Sequence, residues 1–140
     1  MLVRECLQRA PVTVPPQCTL QEAAWLMGSH GVGALLVASG DELVGIVTDR
    51  DLALRGAGCG LLPHDRVDEV MTRGPSTIQG SDDILEAFGV MRRAGVRRLP
   101  VVEESDIAGI ITADDLLVWL VGELAAVAGP AASDVLLSPR

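Results

Sequence analysis

The chain repeats itself, and that repeat limits its possible folds more than any other feature. Written without gaps at an offset of 64, Val3 to Leu52 falls on Val67 to Leu116, and 17 of the 50 pairs are identical. Pro11 falls on Pro75, Thr13 on Thr77, Met27 on Met91 and Gly31-Val32 on Gly95-Val96. Gly45-Ile46 falls on Gly109-Ile110, and Asp51-Leu52 on Asp115-Leu116. Whatever forms in one copy should form in the other. Each copy is shorter than a chain needs to bury a sufficient core alone, so the two are expected to share an interior.

The pattern within a copy reads as mixed α and β. Leu20, Ala23, Ala24 and Met27 recur at helical spacing, as do Ile84, Ala87, Phe88 and Met91. Thr19-x-x-Glu22 and Asp83-x-x-Glu86 predict capping boxes at the two helix starts. Gly31 and Gly95 predict left-handed stops. Apolar runs follow at Ala34 to Ala38 and Leu43 to Val47, and again at Leu99 to Val102 and Ile107 to Ile111. Short polar turns join them, which predicts two antiparallel hairpins. A final helix is expected from Thr48 and from Thr112. A short strand and a leading helical turn are expected before each unit. The boundaries read as a first unit over 1–55, a glycine-rich linker over 56–66, a second unit over 67–128 and a flexible tail over 129–140.

Composition excludes several roles. A formal charge of −8 opposes non-specific binding to nucleic acid, and two Trp, one Phe and no Tyr leave few rings to stack on bases. The stretch Leu116 to Ala128 is too short, and too interrupted by Glu123, for a membrane span. Cys6, Cys18 and Cys59 are odd in number and widely spaced, which predicts neither a disulfide framework nor a zinc site. A reducing cytoplasm is the expected setting. His30 and His64 lack partners at metal-ligand spacing, so no metal site is expected. No catalytic motif is visible, and no resident cofactor is expected.

Gly45-Ile46-Val47-Thr48-Asp49-Arg50-Asp51 and Gly109-Ile110-Ile111-Thr112-Ala113-Asp114-Asp115 fit one pattern, G-h-h-(T/S)-x-x-D. Leu99-Pro100-Val101-Val102 adds an L-P-V-V strand, with Leu36 at the place of that proline in the first copy. Over residues 2 to about 126 the chain resembles a tandem pair of CBS domains, the arrangement called a Bateman module. The resemblance implies an α+β (mixed α/β) fold in which two β-α-β-β-α units, related by a pseudo-twofold axis, pack sheet to sheet. It also implies clefts for adenosine compounds such as AMP, ADP, ATP or S-adenosylmethionine, and pairing into homodimers.

The resemblance puts Asp51 and Asp115 in the place of ribose acceptors, since a carboxylate can take both diol hydrogens. The same residues also read as the closing members of capping boxes with Thr48 and Thr112. Those threonines are either phosphate donors at a helix start or simple N-caps. For the base, the resemblance implies Val12, Thr13, Val32 and Ile46, with Gly33 beside them, in one site. It implies Ser76, Thr77, Val96 and Ile110 in the other. Phosphate needs cations, and Arg97 and Arg98 begin a strand at the expected cleft edge. Adjacent strand residues face opposite ways, so at most one of the two is expected to point inward. Arg92 and Arg93 suit the end of their helix.

Three functions remain to be separated. One is a regulatory module that binds an adenosine-containing ligand and passes the change to a partner protein. Another is a ligand-free dimerisation or scaffold module. An enzyme is the third, and nothing in the residues supports it.

Overall fold

The computed structural model describes residues 1–7 and 9–129. The expected tail therefore lies, from residue 130, outside the described residues. Each hairpin forms as the repeat requires. In the first unit β1 (Thr13–Val14) runs parallel to β2 (Ala34–Ser39), which pairs antiparallel with β3 (Glu42–Thr48). β4 (Thr72–Arg73) adds to the free edge of β3. In the second unit β5 (Ile78–Gln79), β6 (Arg98–Glu103) and β7 (Asp106–Thr112) repeat the first three strands. Both hairpins slip register at one equivalent place, Val37/Ala38 and Val101/Val102. Both turn through a left-handed residue, Gly40 (φ 62°) and Glu104 (φ 57°).

Helices α1 (Leu20–His30) and α3 (Ile84–Ala94) cover the sheets through the faces that periodicity predicts. Ala23 and Met27 are buried in one, Ala87 and Met91 in the other. Gly31 and Gly95 stop them at φ 63° and φ 68°, a conformation only glycine adopts without cost. The Thr19–Glu22 capping box forms. The Asp83–Glu86 box does not. Asp83 caps Leu85 N–H at 2.9 Å, and its other oxygen meets the N-terminal ammonium at 3.3 Å. Glu86 turns away to pair with Arg93 at 3.2 Å.

The final helices are unequal. α4 (Ala113–Ala128) runs for 16 residues, nine of them the strong helix formers Ala, Leu and Glu. Its counterpart α2 (Asp49–Asp51) passes at once into a π turn, Leu52–Gly56, and then a 3₁₀ turn, Ala57–Cys59. Gly56, Gly58 and Gly60 weaken any helix there. The expected linker is thus partly helical.

The leading segments are exchanged between units. Val3 and Cys6 lie in the core of the second unit, with Ile84, Met91, Leu99, Ile111 and Leu116. Val67, Val70 and Met71 lie in the core of the first, with Leu20, Met27, Leu35 and Val47. The backbone bonds repeat too. Val3 N–H donates to Asp82 O at 2.8 Å, and Val67 N–H donates to Cys18 O at 2.8 Å. A third layer joins the sheets, made of Ala34, Leu36 and Ile46 against Ile107 and Ile110.

The crossing segments explain the glycine that opens each repeated motif. A Cβ on Gly45 would stand 2.5 Å from Met71 Sδ and 2.9 Å from the Thr72 carbonyl oxygen. Among the described residues, a Cβ on Gly109 would meet Leu7 Cδ2 at 3.1 Å and the Arg9 carbonyl oxygen at 3.8 Å. Backbone cannot move aside as a leucine methyl can. Gly45→Ala should therefore cost about 1–3 kcal/mol. Equilibrium urea unfolding of the variant against the wild type checks this, and an unchanged stability would contradict the explanation.

Candidate functional site

A cavity of about 440 Å³ opens at the seam between the units, within the range typical of small-molecule sites. Its apolar walls come from both. Pro11 and Val12 precede β1, and Val32 to Ala34 lead from the stop of α1 into β2. Ile110 of β7 faces them from the second unit. Thr112, Asp115 and Arg98 supply polar groups from that unit, and Arg9, His30 and Cys6 complete the rim.

This grouping corrects the expected one. Val12, Val32 and Gly33 stand opposite Asp115, not with Asp51. Ser76, Thr77 and Val96 are solvent-exposed and do not line the cavity, nor does Thr13, exposed on β1. Ile46 is buried in the layer between the sheets. The reason is the face-to-face packing, which brings the β1–β2 edge of one unit against the β7–α4 corner of the other. Of the adjacent arginines, Arg98 reaches the cavity. Arg97 points to solvent and pairs with Asp114 at 3.0 Å.

The two motif aspartates have unequal surroundings. Both cap their helices. Thr48 N–H donates to Asp51 Oδ2 at 2.9 Å, and Thr112 N–H donates to Asp115 Oδ2 at 3.2 Å. The threonine hydroxyls accept the aspartate N–H groups in return, at 3.1 Å each. Asp51 Oδ1 then meets Arg55 Nε at 3.8 Å. The residue equivalent to Arg55 is Trp119, whose indole nitrogen is buried without a partner among the described residues. Among the described residues Asp115 has no such cation beside it, and it lines the cavity. The capping and ligand-accepting readings exclude each other for neither oxygen pair, since one oxygen suffices for the cap.

Sequence reasoning passed over Cys6, Arg9, Pro11, Ala34 and, as a ligand contact, His30. Only the exchange of leading segments brings Cys6 and Arg9 to Asp115, and the repeat carries no sign of it. Burial, then Glu5 and more weakly Asp115, push the Cys6 thiol up, while the N-terminal ammonium pulls it down. Burial and then Glu22 push the Cys18 thiol up to about 11. Cys59 is exposed. Among the described residues no three metal-binding side chains gather, and no helix is long and apolar enough to cross a membrane.

Comparison with known proteins gives the context. The CBS domain profile matches residues 3–57 and 67–122. The CBS domain-containing protein YhcV of Bacillus subtilis is 36% identical over 116 residues, covering 83% of each chain. The structure is similar to that of Hypoxic Response Protein I with two coordinated zinc ions, at TM-score 0.75 and 31% identity over 84% of this chain and 97% of that one. It is also similar to the CBS domain pair of protein MJ0100 in complex with 5′-methylthioadenosine and S-adenosyl-L-methionine. There the TM-score is 0.78, with 26% identity over 88% of this chain and 98% of that one.

The raised Cys18 thiol has a measurable consequence. A nucleophilic thiolate is needed for alkylation, and with a pKa of about 11 only about one Cys18 in a thousand is ionised at pH 8. Iodoacetamide at pH 8 should label Cys59 first and leave Cys18 and Cys6 largely unmodified until the protein is unfolded. Peptide mapping against time checks this, and equal rates at all three would contradict the burial argument.

Proposed function

The chain belongs to the CBS domain family as a tandem pair, and from that premise we propose that it is a regulatory binding module for an adenosine-containing ligand, acting in the seam cavity. The observation that carries this reading is Asp115. One oxygen caps α4, and the residue lines a cavity with apolar walls for a base and two arginines for an anionic group. A ribose diol donates two hydrogens, which suits an acceptor-only carboxylate. The MJ0100 pair, bound to adenosine compounds, supports the ligand class. The role is regulatory rather than catalytic, with no resident cofactor, and the reducing cytoplasm is the setting that three free thiols fit.

Calorimetry with AMP, ATP and S-adenosylmethionine tests the reading. Asp115→Ala should weaken binding at least about tenfold, which is about 1.4 kcal/mol. Asp51→Ala should change it less than about twofold. The far-UV spectrum of each variant reports whether α4 persists without its cap. Equal effects of the two substitutions, or no binding by the wild type, would overturn the assignment.

A second reading, self-association, has its own observation. Leu117, Val118, Leu124 and Val127 of α4 are exposed, Val127 at 88%, and Trp25 of α1 is 70% exposed. Isolated apolar residues are ordinary, but several along one helix suit contact with a second copy. The homodimer we propose should appear in light scattering. Val118→Glu together with Leu124→Glu should return it to monomer, while a mass unchanged by the pair of substitutions would reject this surface.

A further inference from the structure

This inference rests on the adenosine reading and concerns the group the ligand carries at its 5′ position. Beside Gly33 of the cavity wall, side chains of opposite charge approach from different units. Arg98, at the start of β6, lines the cavity. Asp49, the first residue of α2, comes from the other unit. Both flank Gly33: a Cβ there would stand 3.1 Å from Arg98 Nη2 and 3.2 Å from Asp49 Oδ2. Yet the two side chains form no ion pair with each other, and Arg98 has no partner among the described residues. Asp49 Oδ1 accepts the Arg50 N–H at 2.8 Å. Its Oδ2 is the oxygen turned toward Gly33.

The arrangement is not a product of the repeat. Shifted by 64 positions, Asp49, Gly33 and Arg98 become Ala113, Arg97 and Ala34. Two opposite charges a short gap apart, with a glycine opening the space between them, suit a group that is itself both positive and negative. Arg98 offers a planar fork for a carboxylate, and Asp49 offers an acceptor for an ammonium. A phosphate would gain from Arg98 and be opposed by Asp49 in the same place. Arg9, the other arginine of the rim, donates from Nη1 to the His30 carbonyl oxygen at 3.4 Å.

We propose that Asp49 and Arg98 form a specificity-determining pair that selects an adenosine ligand ending in a zwitterionic amino acid over one ending in phosphate. Neither unit supplies this pair alone, so the selected tail ties the two together.

The test is calorimetry on the full chain with three probes. S-adenosylhomocysteine carries the amino-acid tail, 5′-methylthioadenosine lacks it, and AMP carries phosphate instead. Wild type should prefer S-adenosylhomocysteine to AMP. Asp49→Asn keeps the side chain's shape at an exposed position. It should weaken S-adenosylhomocysteine about three- to fivefold, strengthen AMP by a similar factor, and leave 5′-methylthioadenosine within about twofold, magnitudes suited to an exposed charge pair. Arg98→Ala should weaken both charged ligands and spare 5′-methylthioadenosine. The opposite signs for Asp49→Asn are the decisive readout, since loss of folding would weaken all three probes together. A wild-type preference for AMP, or shifts of equal sign for the two charged probes, would overturn the pair while leaving the adenosine reading intact. Failure of the wild type to bind any of the three would overturn both.

Discussion

The interlocking of the two leading segments is the contact on which the rest of the molecule depends. A unit of about fifty residues buries too little surface to fold well alone. Here each core takes its missing apolar residues from the chain that leads the other unit: Val67, Val70 and Met71 in one direction, Val3 and Cys6 in the other. The segments pass close to Gly45 of β3 and Gly109 of β7 on the way. Gly45 and Gly109 allow that close passage, which makes the first residue of each repeated motif a packing requirement before it is anything else. The layer of Ala34, Leu36, Ile46, Ile107 and Ile110 then sets the sheets face to face. The cavity is what remains open at the edge of that layer.

On this symmetric frame the chemistry is unequal. Under the repeat, Asp51 and Asp115 are one residue, and both cap a helix in the same way. Their neighbours decide what else each can do. Arg55 Nε stands 3.8 Å from the second oxygen of Asp51, whereas the equivalent Trp119 brings no positive charge to Asp115. Duplication fixes backbone geometry twice, because the same apolar and capping pattern is written twice. It leaves the side chains around the clefts able to diverge, since those few positions carry little of the folding energy. Arg98 against Ala34, Asp49 against Ala113 and Arg97 against Gly33 are such divergences.

Much of the fold was legible because it rests on local rules. The helix stops at Gly31 and Gly95 need a positive φ, the hairpins follow from apolar runs with polar turns, and Thr48 and Thr112 cap as their spacing predicts. Local rules failed where another contact competed. Asp83 was drawn to the N-terminal ammonium and the Leu85 N–H, which left Glu86 to Arg93. The site was legible in its parts and not in its grouping. An offset of 64 relates residues by equivalence and is silent on which equivalent residues meet. Val12 and Val32 could be named as wall residues, but their position opposite Asp115 follows from the pseudo-twofold packing, a property of three dimensions.

That packing also bears on how such a cavity can regulate. A ligand enclosed by one unit would stabilise that unit and little else. A ligand touching Val12, Val32 and Gly33 on one side and Ile110, Thr112 and Asp115 on the other is bound best at one relative position of the two units. Binding free energy then becomes a preference for that position, limited by the difference in affinity between the positions the units can take. The units are already held by interlocked cores, so large separation is opposed. What is left to adjust is the seam, and the seam carries the charges of Arg98 and Asp49 and runs on into α4 through Asp115. α4 bears the exposed apolar residues Leu117, Val118, Leu124 and Val127. The helix that the ligand would hold at its start is therefore the one with an apolar surface open to a neighbour, which gives a change at the cavity a short and physical route outward.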